Sequence, residues 1–474
     1  MLLNTILPAG RLIRIGAIAF AFLLLAFLSQ HLFFKSDYIQ GLYTTSDNLN
    51  IAVFATSGNY HLCQLHMSAA LMGYPAHTLI NWNDPEDEDP MKQHLAKIEG
   101  ALRFLEEIPA AQQDDLVFMV DGYDLWFQLP HSYIVKRYRD VVKKSHERHV
   151  AELGEALVAK HNIRNTVLFG PDKQCAPAGK DHASCWAVPE SWMPPLSFGP
   201  DTDHGRDTHN RPRWLNSGTI IGPVRELRDV FAAALERNKN QHLTDSDQFY
   251  FASLFGEQSY ARRLLKLEHD KNLGLDTAGD EEFLHPKSGD ESRKVPELKG
   301  RVEYFIGLDW SSAIFQTTGF YADYIAWIRH NESSAYITQN SKDGNYHHHF
   351  TLQSDLVGKG PGAPLERVDP ALQSWKSLPL ATNTASRNVV PVMHINGKKG
   401  YRILWWPRMW FFPYIEQIFK ELRDGSSGGK RHGDERNAFD GAKTFNKGGS
   451  GWIDWKDVCG KYEGRLMGKS REPE

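Results

Sequence analysis

The chain is poor in cysteine, with four in 474 residues (Cys63, Cys175, Cys185 and Cys459), and their spacing is not that of a zinc site. It has no strong excess of either charge sign. With 54 Lys and Arg against 58 Asp and Glu, the net charge of −4 gives no electrostatic case for a nucleic-acid partner. No GxxxxGK[ST] loop occurs, so any phosphate handling rests on a metal and on Lys or Arg rather than on a Gly-rich cradle. Internal repeats are also missing. What the chain does have is apolar mass. Hydrophobic residues make up 41% and aromatic residues 12%, with 13 Trp, enough for a sizeable core and against global disorder. The length fits one large catalytic domain or two ordinary ones.

One long uncharged run stands at the N-terminus, from Ile15 to Phe34, bounded by Arg11, Arg14 and Lys35. At about 1.5 Å per residue, a helix of that length spans roughly 30 Å, the thickness of a bilayer core. Arg11 and Arg14 precede it and Asp37 and Asp47 follow it, so the positive-inside rule puts the body across the membrane. A cleaved signal peptide would have a shorter apolar region, and Leu28-Ser29-Gln30-His31 is a poor cleavage site. The expectation is therefore a cytosolic tail at 1–14, a transmembrane signal anchor at 15–34 and a stem at 35–49. That is a single-pass type II membrane protein of the Golgi or endoplasmic reticulum with a lumenal body. Oxidation is permitted there, and Cys175 and Cys185 could close a short loop. The sequon Asn331-Glu332-Ser333 is compatible with secretory passage.

Along the body, Ile51–Ala55 is a compact apolar run suited to a buried strand, and His61–Met72 reads as a helix closed by Gly73-Tyr-Pro. His77–Ile80 reads as a second strand. Leu95, Ile98, Leu102 and Leu105 recur at helical spacing, and the apolar run Leu116–Val120 follows as a third strand. Strand, helix, strand, helix, strand predicts a mainly parallel sheet with helices on its faces, where ligands bind beyond the carboxyl ends of the strands. Thr166–Gly170 and Val389–His394 read as strands, and Arg225–Arg237 and Ser246–Phe255 as helices. Trp214–Gly222 is read as an Asn-Ser-Gly turn before an apolar run. Stretches near 268–301 and 339–388 are read as insertions, and 424–474 as a Gly-rich, charged tail.

Several residues could carry chemistry. Asp121 and Asp124 follow the third strand with only Gly-Tyr between them, and they are either helix caps or a hard-cation site open to substrate phosphates. His394-Ile-Asn-Gly-Lys-Lys399 joins a borderline metal ligand to a tight turn and two cations, a turn able to fold over a diphosphate. Asp245 and Asp247 open a helix, where caps are the simplest reading, and Asp309 raises the same alternatives; each could also bind hydroxyls or act as a base. The run His347–His349 is read as solvated surface, because neighbours on an extended chain point apart.

These pieces, in this order, resemble the glycosyltransferase domain of the procollagen lysyl hydroxylases, related to the procollagen galactosyltransferases. The resemblance covers about residues 50 to 400: Thr-Ser-Gly-Asn after the first strand, Asp-x-Tyr-Asp, a Phe…Cys strand, Leu-Asn-Ser-Gly, Asp-x-Asp-Gln, Leu-Asp…Ile-Phe-Gln and His-x-Asn-Gly. It implies a GT-A (Rossmann-like) fold over 50–423, a UDP-sugar donor and Mn²⁺, with Mg²⁺ as the alternative ion. Matched by motif, Asp121, Asp124 and His394 would hold the metal. Thr56, Lys97, Tyr123, Asn216, Asn396, Gly397, Lys398 and Lys399 would face the nucleotide sugar. Asp245, Asp247 and Asp309, with Gln316 near the last, would lie by donor and acceptor. The sequence departs where the family has Cys-Trp-Pro: here stands Cys175-Ala176-Pro177, with Trp186 the nearby aromatic that could compensate. A hydroxylase domain after the sugar-transfer domain is not expected.

The sequence therefore leads to a membrane-anchored, lumenal, Mn²⁺-dependent glycosyltransferase moving a hexose from a UDP-sugar to a hydroxyl of a protein or glycan. A non-catalytic nucleotide-sugar or glycan binding protein on the same fold is the alternative, and a metal-dependent phosphohydrolase ranks third. Nucleic acid is not an expected partner.

Overall fold

A computed structural model describes residues 48–84, 90–241, 246–284, 293–331, 336–341, 344–362, 365–428 and 436–469. The expected anchor at 15–34, most of the stem, Asp245 and Ser333 of the sequon lie outside the described residues. Among the described residues no helix is long and apolar enough to cross a membrane.

The strands in chain order are β1 (Leu49–Phe54), β2 (Thr78–Ile80), β3 (Leu116–Asp121), β4 (Leu125–Phe127), β5 (Val167–Asp172), β6 (Trp214–Pro223), β7 (Ile306–Leu308), β8 (Phe315–Thr317), β9 (Ile325–Ile328), β10 (Tyr336–Ser341), β11 (Gly344–His349), β12 (Leu380–Asn383), β13 (Val392–His394), β14 (Gly441–Asn446) and β15 (Gly449–Asp454). Eight of them make one mixed sheet, in the order β15-β14-β2-β1-β3-β6-β5-β7. Its β14-β2-β1-β3 stretch is parallel, and β6 runs antiparallel to both β3 and β5. Because β5 and β7 are parallel, β3, β5 and β7 all end on the same edge.

The period-two pleat explains why β3 is apolar throughout. Val117 and Met119 enter a core with Ile98, Leu105, Phe169, Ile220, Phe231 and Phe251, against helices Pro90–Glu107, Val224–Gln241 and Asp247–Asn272. Phe118 faces the other way, stacked on Phe315 of β8 (ring centroids 5.6 Å) and edge-on to Phe127 of β4. There a second, three-stranded sheet, β4-β13-β8, packs against the first.

Several expectations need correcting. Trp214–Pro223 is a single strand, not a turn followed by a strand: its Asn-Ser-Gly is a bulge, across which the pairing with β5 jumps from Ile220 to Asn216. The 23-residue helix His131–Leu153 was not foreseen, because four of its ten buried residues are polar: Arg137, Ser145, His146 and His149 sit among residues such as Ile134, Tyr138 and Val142. Buried Arg137 is satisfied by Asp355 at 2.9 Å and by the carbonyl oxygens of Ala313 and Val389. The 268–301 insertion begins inside the helix Asp247–Asn272 and includes the helix Ala278–Leu284, and 339–388 begins inside the first strand of the β10–β11 hairpin and includes β12. Nor is 424–474 a plain tail. Its β14 and β15 complete the sheet edge, with Ala442 and Phe445 buried, and Cys459 is disulfide-bonded to Cys63. Cys175 pairs with Cys185 and closes the expected short loop.

Candidate metal centre

Strand pairing makes the site. β3 ends at Asp121, opposite Phe54 of β1, and Gly122 then passes so close to β1 that a Cβ there would lie 2.6 Å from the Phe54 carbonyl oxygen. Asp124 follows directly before β4. β4 pairs antiparallel with β13, with Leu125 opposite His394, and the Ile395 N–H donates to the Asp124 carbonyl at 2.6 Å. An aspartate and a histidine 270 positions apart are thereby fixed by one strand register.

Their side chains converge. One oxygen or ring nitrogen from each of Asp121, Asp124 and His394 lies within 4.8 Å of the others. Ligand atoms around a hard cation bound at about 2.1–2.5 Å are at most roughly 5 Å apart, so the set fits one ion. His394 Nε2 is 3.8 Å from Asp121 Oδ2 and 3.4 Å from Asp124 Oδ1. The other carboxylate oxygens are anchored by lysines: Lys97 Nζ donates to Asp121 Oδ1 at 2.6 Å, and Lys399 Nζ donates to Asp124 Oδ2. Each carboxylate thus turns one oxygen to a lysine and the other to the histidine. His394 is 2% exposed, and neither of its ring nitrogens, nor Asp124 Oδ1, has a hydrogen-bond partner. Buried polar atoms of that kind are costly unless something binds them. A further observation agrees. A Cβ on Gly218, in the β6 bulge, would fall 2.2 Å from His394 Cε1 and 3.0 Å from Asp121 Oδ2, so only glycine keeps this space open.

The electrostatics are balanced. Burial pushes the Asp124 carboxyl up, but His394 and Lys399 outweigh it and hold Asp124 well below the usual carboxylate range. Burial disfavours the Lys97 ammonium, yet Asp121, Asp247 and Asp124 raise it above its ordinary value. Asp247 is buried in the first turn of its helix, 3.4 Å from His94 Nδ1; burial raises it, and Lys97 and His94 bring it net lower. It makes no side-chain cap of the kind the sequence suggested, and the capping residue is Ser246.

The remaining candidates divide. Tyr123 does not stand free: its hydroxyl accepts the N–H groups of Thr56 (3.0 Å) and Ser57 (3.1 Å), so it pins the loop after β1, next to the cluster. Asn396 Oδ1 accepts the N–H groups of Thr318 and Gly319, and Gly397 lies against Gly319, so both hold two loops together, whereas Lys398 is exposed. Asn216 links Asp172 (3.4 Å) to Gln248 (3.3 Å). Asp309 is fully buried, and its oxygens accept the N–H groups of Ala313, Ile314 and Phe315 at 2.7–3.1 Å, which commits it to building a turn and corrects its reading as a base. Gln316 is likewise buried, bonded to Asn383 and Thr317. Trp186, the aromatic near Cys175-Ala176-Pro177, is buried and packed against Tyr260 and Phe283.

Two site residues were missed. Gly218 has no signal of its own beyond the Leu-Asn-Ser-Gly motif. Asp172 ends β5 as Asp121 ends β3, and Val-Leu-Phe-Gly-Pro-Asp repeats the pattern of an apolar run closing on a carboxylate. Burial raises the Asp172 carboxyl to about 6, against the Lys173 N–H and Asn216. No protein-family model matches this chain, and no curated protein matches it.

Proposed function

We propose that this chain is a Mn²⁺-dependent glycosyltransferase of GT-A type, acting in the lumen of the Golgi or endoplasmic reticulum. It would transfer a hexose from a UDP-sugar to a hydroxyl of a protein or glycan. The reading rests on the order of the motifs and on one structural observation, the convergence of His394 with the lysine-anchored carboxylates of Asp121 and Asp124. When bound by these three residues, Mn²⁺, or Mg²⁺ in its place, supplies Lewis-acid stabilisation to a departing diphosphate. The protein's own groups do the rest. Lys97 and Lys399 fix the carboxylates and offset their charge, so that two carboxylates and two ammonium groups sum to zero before any cation arrives. The cluster with a divalent ion would then be net positive towards a diphosphate. The Tyr123 hydroxyl holds the loop of Thr56 beside the site. For an inverting reaction the acceptor hydroxyl needs a base; Asp247 and Asp172 are the carboxylates at this edge, and Asp309 is spent on its turn.

UDP release by the full-length protein, measured across UDP-sugars with and without Mn²⁺, tests the reading. It should be Mn²⁺-dependent for at least one donor and lost in Asp121→Ala and Asp124→Ala; variants as fast as the parent would overturn the assignment. One observation favours the second reading, a non-catalytic nucleotide-sugar binding protein: Ala176 stands in place of the acceptor-side Trp, and Trp186 is buried elsewhere. Tight calorimetric binding of UDP without release from any donor would select it.

A further inference from the structure

A second cavity, of about 1100 Å³, is separate in its lining residues from the metal cluster. It is walled by the helix His131–Leu153, the loop 192–209, the turn after β7, and residues 384–387. The turn after β7 sits at the same sheet edge as Asp121, so the cavity opens beyond the strand ends, where α/β sheets bind ligands.

Its chemistry is lopsided. Lys144, Arg148, Arg206 and Arg387 line it, all exposed, and none of them forms an ion pair with a carboxylate among the described residues. Only Asp201 and Asp309 bring acid to the lining, and the Asp309 carboxylate is already held by three N–H groups. The partly exposed Trp192 lies among the cations, backed by the buried Trp310. Trp192 and Trp310 pack at 5.5 Å with their planes 35° apart, and the Arg148 guanidinium lies 4.7 Å over the Trp192 ring. Two polar groups on the lining residues are also left without partners, Trp310 Nε1 and Ser386 Oγ, although Trp310 is only 5% exposed. Buried donors of this kind are normally satisfied.

We infer that this cavity binds an acidic oligosaccharide, a chain of sugar rings bearing carboxylates or sulfates. Pyranose rings present flat C–H faces that pack on Trp, and their stiffness keeps the ordering cost low. The Arg206 and Arg387 side chains match carboxylate and sulfate in bidentate fashion, Lys144 adds a point charge, and Arg148, which lies over Trp192 and acts on Glu152, adds to the positive field. The volume is at the upper end of small-ligand sites, as several rings in sequence require. A flexible acidic peptide would use the cations but not the Trp faces. The inference is independent of the metal-centre reading.

The test is a calorimetric titration of the full-length protein, with EDTA present so that metal chemistry plays no part. The probes are hexagalacturonate (carboxylate only), a heparin-derived hexasaccharide (sulfate), neutral maltohexaose and hexaglutamate. At least one acidic hexasaccharide should bind, at least about tenfold more tightly than maltohexaose and hexaglutamate. Lys144→Glu with Arg387→Glu, both at exposed positions, should weaken it about a hundredfold. Trp192→Leu, which keeps much of the volume but removes the ring face, should weaken it about tenfold while the thermal transition stays near the parent's. Failure of both acidic hexasaccharides to bind would overturn the proposal. So would equal binding of hexaglutamate, or indifference to Trp192→Leu in a protein that still melts like the parent.

Discussion

Of the strands that carry an aspartate to this sheet edge, β3 and β7 differ most: the aspartate of one faces a histidine, and that of the other faces three backbone N–H groups. β3 ends at Asp121 and passes through Gly122 to Asp124; β7 ends at Leu308 and passes directly to Asp309. In sequence both are apolar runs closing on a carboxylate. The difference lies in where the next peptide N–H groups fall. After β7 the chain turns tightly, and three N–H groups fill the Asp309 oxygens. After β3 the chain runs on into β4, the nearest N–H groups go to strand partners, and the carboxylates are met by two lysines and a histidine instead. The histidines show the same contrast. His394 and His66 are both almost fully buried, but His394 faces two carboxylates, while His66 packs on His77 and Trp455.

The comparison is broken most sharply at the carboxylates. Asp124→Ala should reduce UDP release by about a thousandfold or more and abolish Mn²⁺ binding seen by calorimetry, with the melting temperature nearly kept. Asp309→Ala should do the reverse. Three N–H groups orphaned in a closed interior should cost about 4 kcal/mol in a denaturant titration, with Mn²⁺ affinity unchanged in the folded fraction. Loss of Mn²⁺ affinity in Asp309→Ala at full stability would show that the two aspartates had been assigned the wrong way round.

His66 sharpens the same contrast through pH. Burial lowers its pKa from 6.5 to about 4, so the unfolded chain takes up a proton at a pH where the native protein does not. The resulting stability is fully present above pH 6.5 and is lost as pH falls through the window from 6.5 to about 4. The loss should be about 3 kcal/mol over that window. His77, lowered first by burial and then by the charge of His66, acts in the same direction. Chemical denaturation of His66→Phe should lose correspondingly less stability on acidification than the parent, and identical slopes would refute the assignment.

These contrasts also mark how far the sequence could be read. The buried strands β1, β3 and β5 were legible because strands covered on both faces are continuous apolar runs, and the helix Pro90–Glu107 because its apolar stripe is regular. Asp121, Asp124 and His394 were legible as residues, but their convergence was not a local property, since it depends on β13 finding β4. Asp309 had the same local signature as the proposed ligands Asp121 and Asp124, and only the turn that fills its oxygens separates them. The helix His131–Leu153 escaped because its hidden face is partly polar, and β14 and β15 because their Gly, Lys and Asn content resembles a tail.

Gly218 gives the finest test, since it asks whether the space among the ligands matters as well as the ligands. Its missing Cβ would stand 2.2 Å from His394 Cε1 and 2.6 Å from Nε2, so the ring in Gly218→Ala must turn or move away from Asp121 and Asp124. The bulge carrying Gly218 is held through Asn216 and Gln248, and the alanine removes none of those contacts. Stability should therefore fall much less than in Asp309→Ala, while Mn²⁺ affinity falls about a hundredfold. Gly279→Ala is the control, because nothing lies within 4 Å of the Cβ it would add. If Gly218→Ala binds Mn²⁺ as the parent does, His394 is not a ligand. The cluster would then be a partly buried charge network of two carboxylates and two lysines, closer in kind to the Asp309 turn than to a metal centre.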